Sequence, residues 1–282
     1  MSPQGPVRTI LDVPYSRDGG KQCVDIYFPV DPPKDERGYP FLYFIHGGGW
    51  IMCDRKMGSI IGKILAKHGI ATVAPGYRLI PTTDLNGIYA DIRAGLELVR
   101  ERASEWQLDF SRYAIGGESA GGHLTMRLAQ NFPEKIEAPK AVIGLYGVYD
   151  LQSLVEHQAS GRSLFLDIVR QDAPLDEFHA EHTACRNLSW DHVPVLLAHG
   201  EADEPLPVAH TYTMAELLRR QGVDVTVHTY PDAGHGFIYN RFTSPDQSSE
   251  FYRMFRDFLK RTIVNVGKPK PARSVGQLHA SP

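Results

Sequence analysis

Gly117-Glu118-Ser119-Ala120-Gly121 sets a serine between two glycines, at the junction of an apolar run and a stretch of helical period. Tyr113-Ala114-Ile115 suits a buried strand, and Leu124, Leu128 and Ala129 then recur at helical spacing, so the period changes at Ser119. A serine on such a strand-to-helix turn forms a nucleophile elbow. Its backbone is strained, Gly117 and Gly121 permit close backbone approach, and its hydroxyl projects into a cleft above the sheet. A serine hydroxyl is a weak nucleophile near neutral pH, so the chemistry also needs a general base in hydrogen-bond reach and a group that orients the base.

The candidate base is His235, in Asp232-Ala-Gly-His-Gly-Phe237, directly after a strand ending near Tyr230. Of the twelve histidines, His68, His157, His210 and His279 have no supporting motif. His179 and His182 share an i, i+3 spacing but have no further ligands nearby, so no metal is expected. The candidate acid is Asp203, just after Val195-Leu196-Leu197, with Glu201 and Glu204 as competitors in the same loop. The chain order Ser119, Asp203, His235 is the one this strand-turn-helix chemistry requires. A tetrahedral intermediate needs donors for its oxyanion. Gly47-Gly48-Gly49 after a buried strand and Ala120 at a helix start can supply them, and Gly48, Gly49 and Ala120 are the residues expected to do so. No lysine and Ser/Thr follow the glycines, which argues against a phosphate cradle.

These groups need a scaffold that brings strand ends together. Val7 to Tyr15 and Gln22 to Phe28 read as a hairpin across Asp18-Gly19-Gly20. Phe41-Leu42-Tyr43-Phe44-Ile45 is continuously apolar, as in a strand buried on both faces of a parallel sheet. Helices are expected over Ile60 to His68, Asp84 to Ala103, from the elbow to about Asn131, Met214 to Arg220 and Glu250 to Lys260. Strands alternate with them at Ile70 to Ala74, Ala141 to Leu145, Pro194 to Ala198 and Val223 to His228. The fold class is therefore α/β, a mainly parallel central sheet flanked by helices with an antiparallel edge. Leu151 to Trp190 is too long for a simple connection and is read as a small cap insertion over the cleft. Residues 1–266 form one domain on this reading, and the proline-rich tail 267–282 is expected to be flexible.

The 282 residues, 42% hydrophobic, suffice for a large core, and a net charge of −3 without basic runs argues against nucleic acid. No apolar stretch reaches the roughly 20 residues of a membrane helix, and the N-terminus lacks a signal-like pattern, so a cytoplasmic protein without stable membrane insertion is expected. Cys23, Cys53 and Cys185 are far apart and odd in number, which argues against a disulfide or zinc framework. The partner expected is a small-molecule ester or amide; a homodimer is left open.

With serine, base, acid and glycine run in view, the sequence resembles the α/β-hydrolase family, and within it the carboxylesterases related to hormone-sensitive lipase. His46-Gly47-Gly48-Gly49 matches their oxyanion motif, and Gly117-Glu118-Ser119-Ala120-Gly121-Gly122 is similar to their Gly-Asp-Ser-Ala-Gly-Gly elbow. Tyr77-Arg78-Leu79-Ile80-Pro81 looks like their Tyr-Arg-Leu-Ala-Pro stretch. The acid loop His199 to Asp203 departs from their Asp-Pro-Leu-x-Asp pattern and looks more like small acetylesterases and peptidase-like relatives. Trp50 is similar to the tryptophan of kynurenine formamidases. The resemblance covers about Val24 to Leu259 and implies a serine esterase acting through an acyl-enzyme without a cofactor. Alternatives are an arylformamidase or other amide or thioester hydrolase on the same triad, and a ligand receptor or lyase/cyclase on the same fold. Trp50, Glu118, Leu154, Phe165 and Phe178 are the candidate substrate-binding residues.

Overall fold

The computed structural model describes residues 7–157, 174–184, 193–239 and 245–265. The tail, Phe165 and Cys185 lie outside the described residues. Eight strands make one sheet: β1 (Arg8–Pro14), β2 (Cys23–Phe28), β3 (Tyr39–Ile45), β4 (Ala71–Pro75), β5 (Leu108–Glu118), β6 (Val142–Leu145), β7 (Val195–Gly200) and β8 (Val225–Tyr230). Their spatial order is β1-β2-β4-β3-β5-β6-β7-β8. The β1–β2 hairpin and the β2–β4 pair are antiparallel, and every later pair is parallel. The expected antiparallel edge is thus the start of the chain.

Helices α1 (Gly58–Ala66), α2 (Leu85–Glu101), α3 (Ala103–Trp106), α4 (Ala120–Gln130), α5 (Leu151–His157), α6 (Leu175–His182), α7 (Ala209–Arg220) and α8 (Pro245–Leu259) complete the described residues, with π-helical Lys260–Val264 extending α8. Alternation along β3 builds both cores. Phe41, Tyr43 and Ile45 join α2 and α4 residues such as Ile88, Leu96 and Leu124, whereas Leu42 and Phe44 join Ile61 and Leu65 of α1 and Phe251 and Phe255 of α8. A strand with no exposed residue needs both faces covered, which is why it reads as an unbroken apolar run. Asp84 caps α2, its carboxylate accepting the Gly87 N–H at 2.7 Å.

β5 is central and longer than the apolar triplet at its heart suggests, because Leu108–Phe110 extends it next to Tyr39. Its neighbours β3 and β6, and then β7 and β8, all point the same way, so their carboxyl ends open onto one edge of the sheet. Ligands of open α/β sheets bind at that edge.

Candidate active site

Ser119 stands where β5 gives way to α4, with φ 54° and ψ −121°. A non-glycine residue held there stores on the order of 1–3 kcal/mol of strain. The two glycines are required by contact. A Cβ on Gly117 would lie 2.3 Å from the Gly121 carbonyl oxygen, and one on Gly121 would lie 2.1 Å from the Ile45 oxygen and 2.5 Å from that of His46. The second pair of distances also shows how the elbow seats against the end of β3, where Ile45 pairs with Gly117.

The residues singled out for nucleophilic chemistry come together. Ser119 Oγ–H donates to His235 Nε2 at 3.0 Å, and His235 Nδ1–H donates to Asp203 Oδ2 at 2.7 Å. Those partners fix one imidazole tautomer. Asp203 is buried, whereas Glu201 and Glu204 on either side of it are exposed; Glu201 accepts the Thr229 hydroxyl at 2.6 Å instead. The acid and base loops are stitched together by Glu201 N–H to Tyr230 O (2.9 Å) and Ala202 N–H to Ala233 O (3.0 Å). A Cβ on Gly200 would meet the Ala233 oxygen at 2.1 Å.

One member of this network is not evident from the motif. His199 Nε2–H donates to Leu206 O at 2.9 Å and faces Asp203 Oδ2 at 3.2 Å, and its Nδ1 accepts the Thr211 hydroxyl at 2.7 Å. The Leu206 N–H donates to Asp203 Oδ1 at 2.9 Å. Burial alone would raise the Asp203 carboxyl, but hydrogen bonds from His199 and His235 outweigh it and hold the group below its ordinary range. The available sequence signal was a histidine closing an apolar strand, Val195-Leu-Leu-Ala198. Tyr146, at φ 36° just past β6, packs edge-on to the His235 ring at 5.0 Å.

The glycine loop leaves β3 beside the elbow. Gly48 and Gly49 have φ of 99° and 58°. A Cβ on Gly48 would sit 2.3 Å from the Met52 oxygen. The Gly47 N–H is taken by Glu118 Oε1 at 2.6 Å, so the loop's remaining candidate donors are Gly48 and Gly49. His46 lies underneath, stacked on Tyr77 at 4.2 Å, and the Tyr77 hydroxyl donates to His46 O at 2.9 Å. Burial lowers the His46 imidazole to about 4, so it is neutral at neutral pH.

Glu118 is buried and bonded to this loop, and the Tyr239 hydroxyl donates to the same Oε1 at 3.3 Å. Burial pushes its carboxyl up; the Gly47 N–H, His235 and Tyr239 favour the charged form and offset only part of that. The Tyr146 hydroxyl faces the same carboxylate without a well-formed hydrogen bond.

The sequence profile of the alpha/beta hydrolase fold matches residues 42–239, well over half the chain. The chain belongs to the α/β-hydrolase family. Among curated relatives, it is 28% identical over 249 residues to a probable isoprenylcysteine alpha-carbonyl methylesterase of Oryza sativa subsp. japonica, covering 82% of this chain and 59% of that protein. Esterase LipC of Mycobacterium tuberculosis is 27% identical over 235 residues, covering 78% of this chain and 58% of that protein. This α/β-hydrolase chain therefore spans about three-fifths of the length of both. Esterase B from Lactobacillus rhamnosis, solved with a tributyrin phosphonate inhibitor, superposes with TM-score 0.79 at 20% identity, covering 92% of this chain and 87% of that one. At that identity the likeness is one of fold.

Four of the candidate substrate-binding residues of this α/β-hydrolase chain are described, and all are buried. Trp50 packs edge-on to His123 at 5.3 Å, Leu154 and Phe178 join the main core, and Glu118 holds the glycine loop. The described parts of the expected cap are α5 and α6. Helix α6 docks beside the elbow helix: His123 Nε2–H donates to His182 O at 2.7 Å, and Asn86 Nδ2–H donates to Glu181 Oε1 at 2.8 Å. No helix among the described residues is long and apolar enough to cross a membrane.

Proposed function

We propose that the chain is a serine hydrolase that cleaves a small to medium carboxylic ester through an acyl-enzyme. The observation that carries this is the relay from Ser119 Oγ through His235 to buried Asp203, at 3.0 and 2.7 Å, on a strained elbow. Ser119 Oγ attacks the ester carbonyl carbon while His235 Nε2 takes its proton. The negative charge on the carbonyl oxygen falls to the N–H groups of Gly48, Gly49 and Ala120, the last at the start of α4, where the helix dipole adds to the stabilisation. Collapse of the intermediate breaks the bond to the alcohol oxygen, which receives the proton from His235. Water then attacks the acyl-enzyme, giving its proton to His235, and a second collapse frees the acid and returns the proton to Ser119 Oγ. Asp203 keeps His235 Nδ1 protonated throughout and offsets the transient imidazolium charge.

Of the expected cap insertion, the described helix α6 is anchored on His123 and Asn86, which ties it to α4 and α2. The esterase names of the curated relatives support an oxygen ester as substrate; a short alcohol leaving group is consistent with the methylesterases among them. Initial rates on p-nitrophenyl acetate and butyrate, an acyl thioester and N-formylkynurenine test the reading. The esters should lead the panel, and Ser119→Ala should lose at least about 10⁴-fold in kcat. Wild-type turnover by Ser119→Ala would overturn the mechanism, and a preference for the formamide would move the substrate class to amides.

A further inference from the structure

A cavity of about 340 Å³ opens between α2 and α4. No residue of the Ser119–His235–Asp203 relay lines it. Its walls carry Asn86, Arg93, Arg127 and Asn131, and its floor includes Leu124 and Leu128. The Arg127 guanidinium lies over the Tyr89 ring, 5.5 Å from its centroid, and donates from Nη1 to Gln130 Oε1 at 3.2 Å. Arg127 Nε is buried and has no hydrogen-bond partner among the described residues. Among the described residues neither arginine is ion-paired to a carboxylate. Asn86 of this lining donates from Nδ2 to Glu181 Oε1 at 2.8 Å.

A buried guanidinium N–H without an acceptor is costly, whereas a bound anion would supply that acceptor and neutralise two charges that no carboxylate among the described residues pairs. The leucine floor rewards an apolar body on the same molecule, and the volume lies at the lower end of the roughly 300–1,000 Å³ of small-molecule pockets. We infer that the cavity between α2 and α4 is a binding site for a small organic carboxylate, its carboxylate held by Arg93 and Arg127 and its chain laid on Leu124 and Leu128. The choice of a carboxylate among organic anions rests on the proposed ester hydrolysis, whose acid product has this chemistry.

The test is calorimetric titration of octanoate into the Ser119→Ala protein, which needs no turnover, so it can fail while the hydrolase reading stands and succeed while that reading fails. Saturable octanoate binding is expected, with Arg93→Gln and Arg127→Gln each weakening it about tenfold or more. Octanamide, which keeps the chain and lacks the charge, should bind at least tenfold more weakly than octanoate. Arg93 is exposed and its substitution leaves the core intact, so Arg93→Gln decides the matter should Arg127→Gln not fold. Three results would each overturn the inference: no octanoate binding, equal affinity in Arg93→Gln, or equal affinity for octanamide.

Discussion

Glu118 makes a distinctive prediction, because the same burial that makes it useful to the glycine loop makes it costly to the fold. Its Oε1 holds the Gly47 N–H at 2.6 Å, one residue before the proposed oxyanion donors. A hydrogen bond to a charged group contributes about 1.5–3 kcal/mol, roughly twice a neutral one. Glu118→Gln keeps an acceptor at Oε1 but discharges it, so about 1 kcal/mol of positioning is lost, or roughly fivefold in kcat/KM. Glu118→Ala removes the acceptor, frees the loop and should cost about 10²–10³-fold, comparable to losing an oxyanion donor. Stability moves differently. The Glu118 carboxyl is raised in the fold, so the folded chain binds the extra proton; that contribution is full below about 4.3, the ordinary glutamate value, and is lost as pH rises through the higher folded value. Glu118→Gln abolishes this loss, so its urea midpoint at pH 8 should equal or exceed that of the wild type while its activity falls. Steady-state p-nitrophenyl butyrate kinetics and urea melts on the two variants measure both. Wild-type kcat/KM in Glu118→Gln, or a large drop in its urea midpoint at pH 8, would refute the reasoning.

Three further expectations follow from the same geometry. Asp203→Asn should lower kcat by about 10⁴-fold by allowing the wrong His235 tautomer, while Glu201→Gln and Glu204→Gln stay within about twofold; steady-state kinetics distinguishes the three acids of one loop. Gly121→Ala places a methyl 2.1 Å from the Ile45 oxygen and should destabilise by at least about 1–3 kcal/mol, or leave no soluble protein, as read by thermal melting. His46 and His123 are buried and lowered to about 4 and about 3, so the unfolded chain binds more protons below about 6.5. Their contribution is full above that value and is lost as pH falls, by about 3 kcal/mol for His46 at about 1.4 kcal/mol per unit. Urea melts at pH 7.5, 6 and 5 should show this decline, with a shallower slope in His123→Leu. Asp203, held low, adds a further loss only below about 3.9.

The sequence made the architecture legible wherever local chemistry and burial agree. The unbroken apolar run of β3 and the change of period at Ser119 each follow from a short stretch and a single physical cause. Ser119, Asp203 and His235 could be nominated from short stretches: a serine at a change of period, an acid a few residues past a strand end and a histidine between glycines, in the chain order Ser, Asp, His. Contacts made across the strand ends were not readable in this way. Which of Glu201, Asp203 and Glu204 faces His235 depends on the stitching of two loops at Gly200 and Ala233, residues thirty-odd positions apart. His199 finds Leu206 O and Thr211 only after the chain has turned back on itself. The side of the elbow to which Glu118 turns is fixed by the Gly47 N–H, contributed from 71 residues upstream. Trp50 follows the glycines at φ 67° and turns inward to His123, an orientation set by a backbone state its residue type does not announce.

The central claim is that Ser119 is a nucleophile activated by His235. Fluorophosphonate labelling of the wild-type protein followed by peptide mapping should place one covalent adduct per chain on Ser119, with none in Ser119→Ala and sharply slowed labelling in His235→Ala. A folded wild-type protein that takes up no label, or a label that maps elsewhere and persists in Ser119→Ala, would contradict the account.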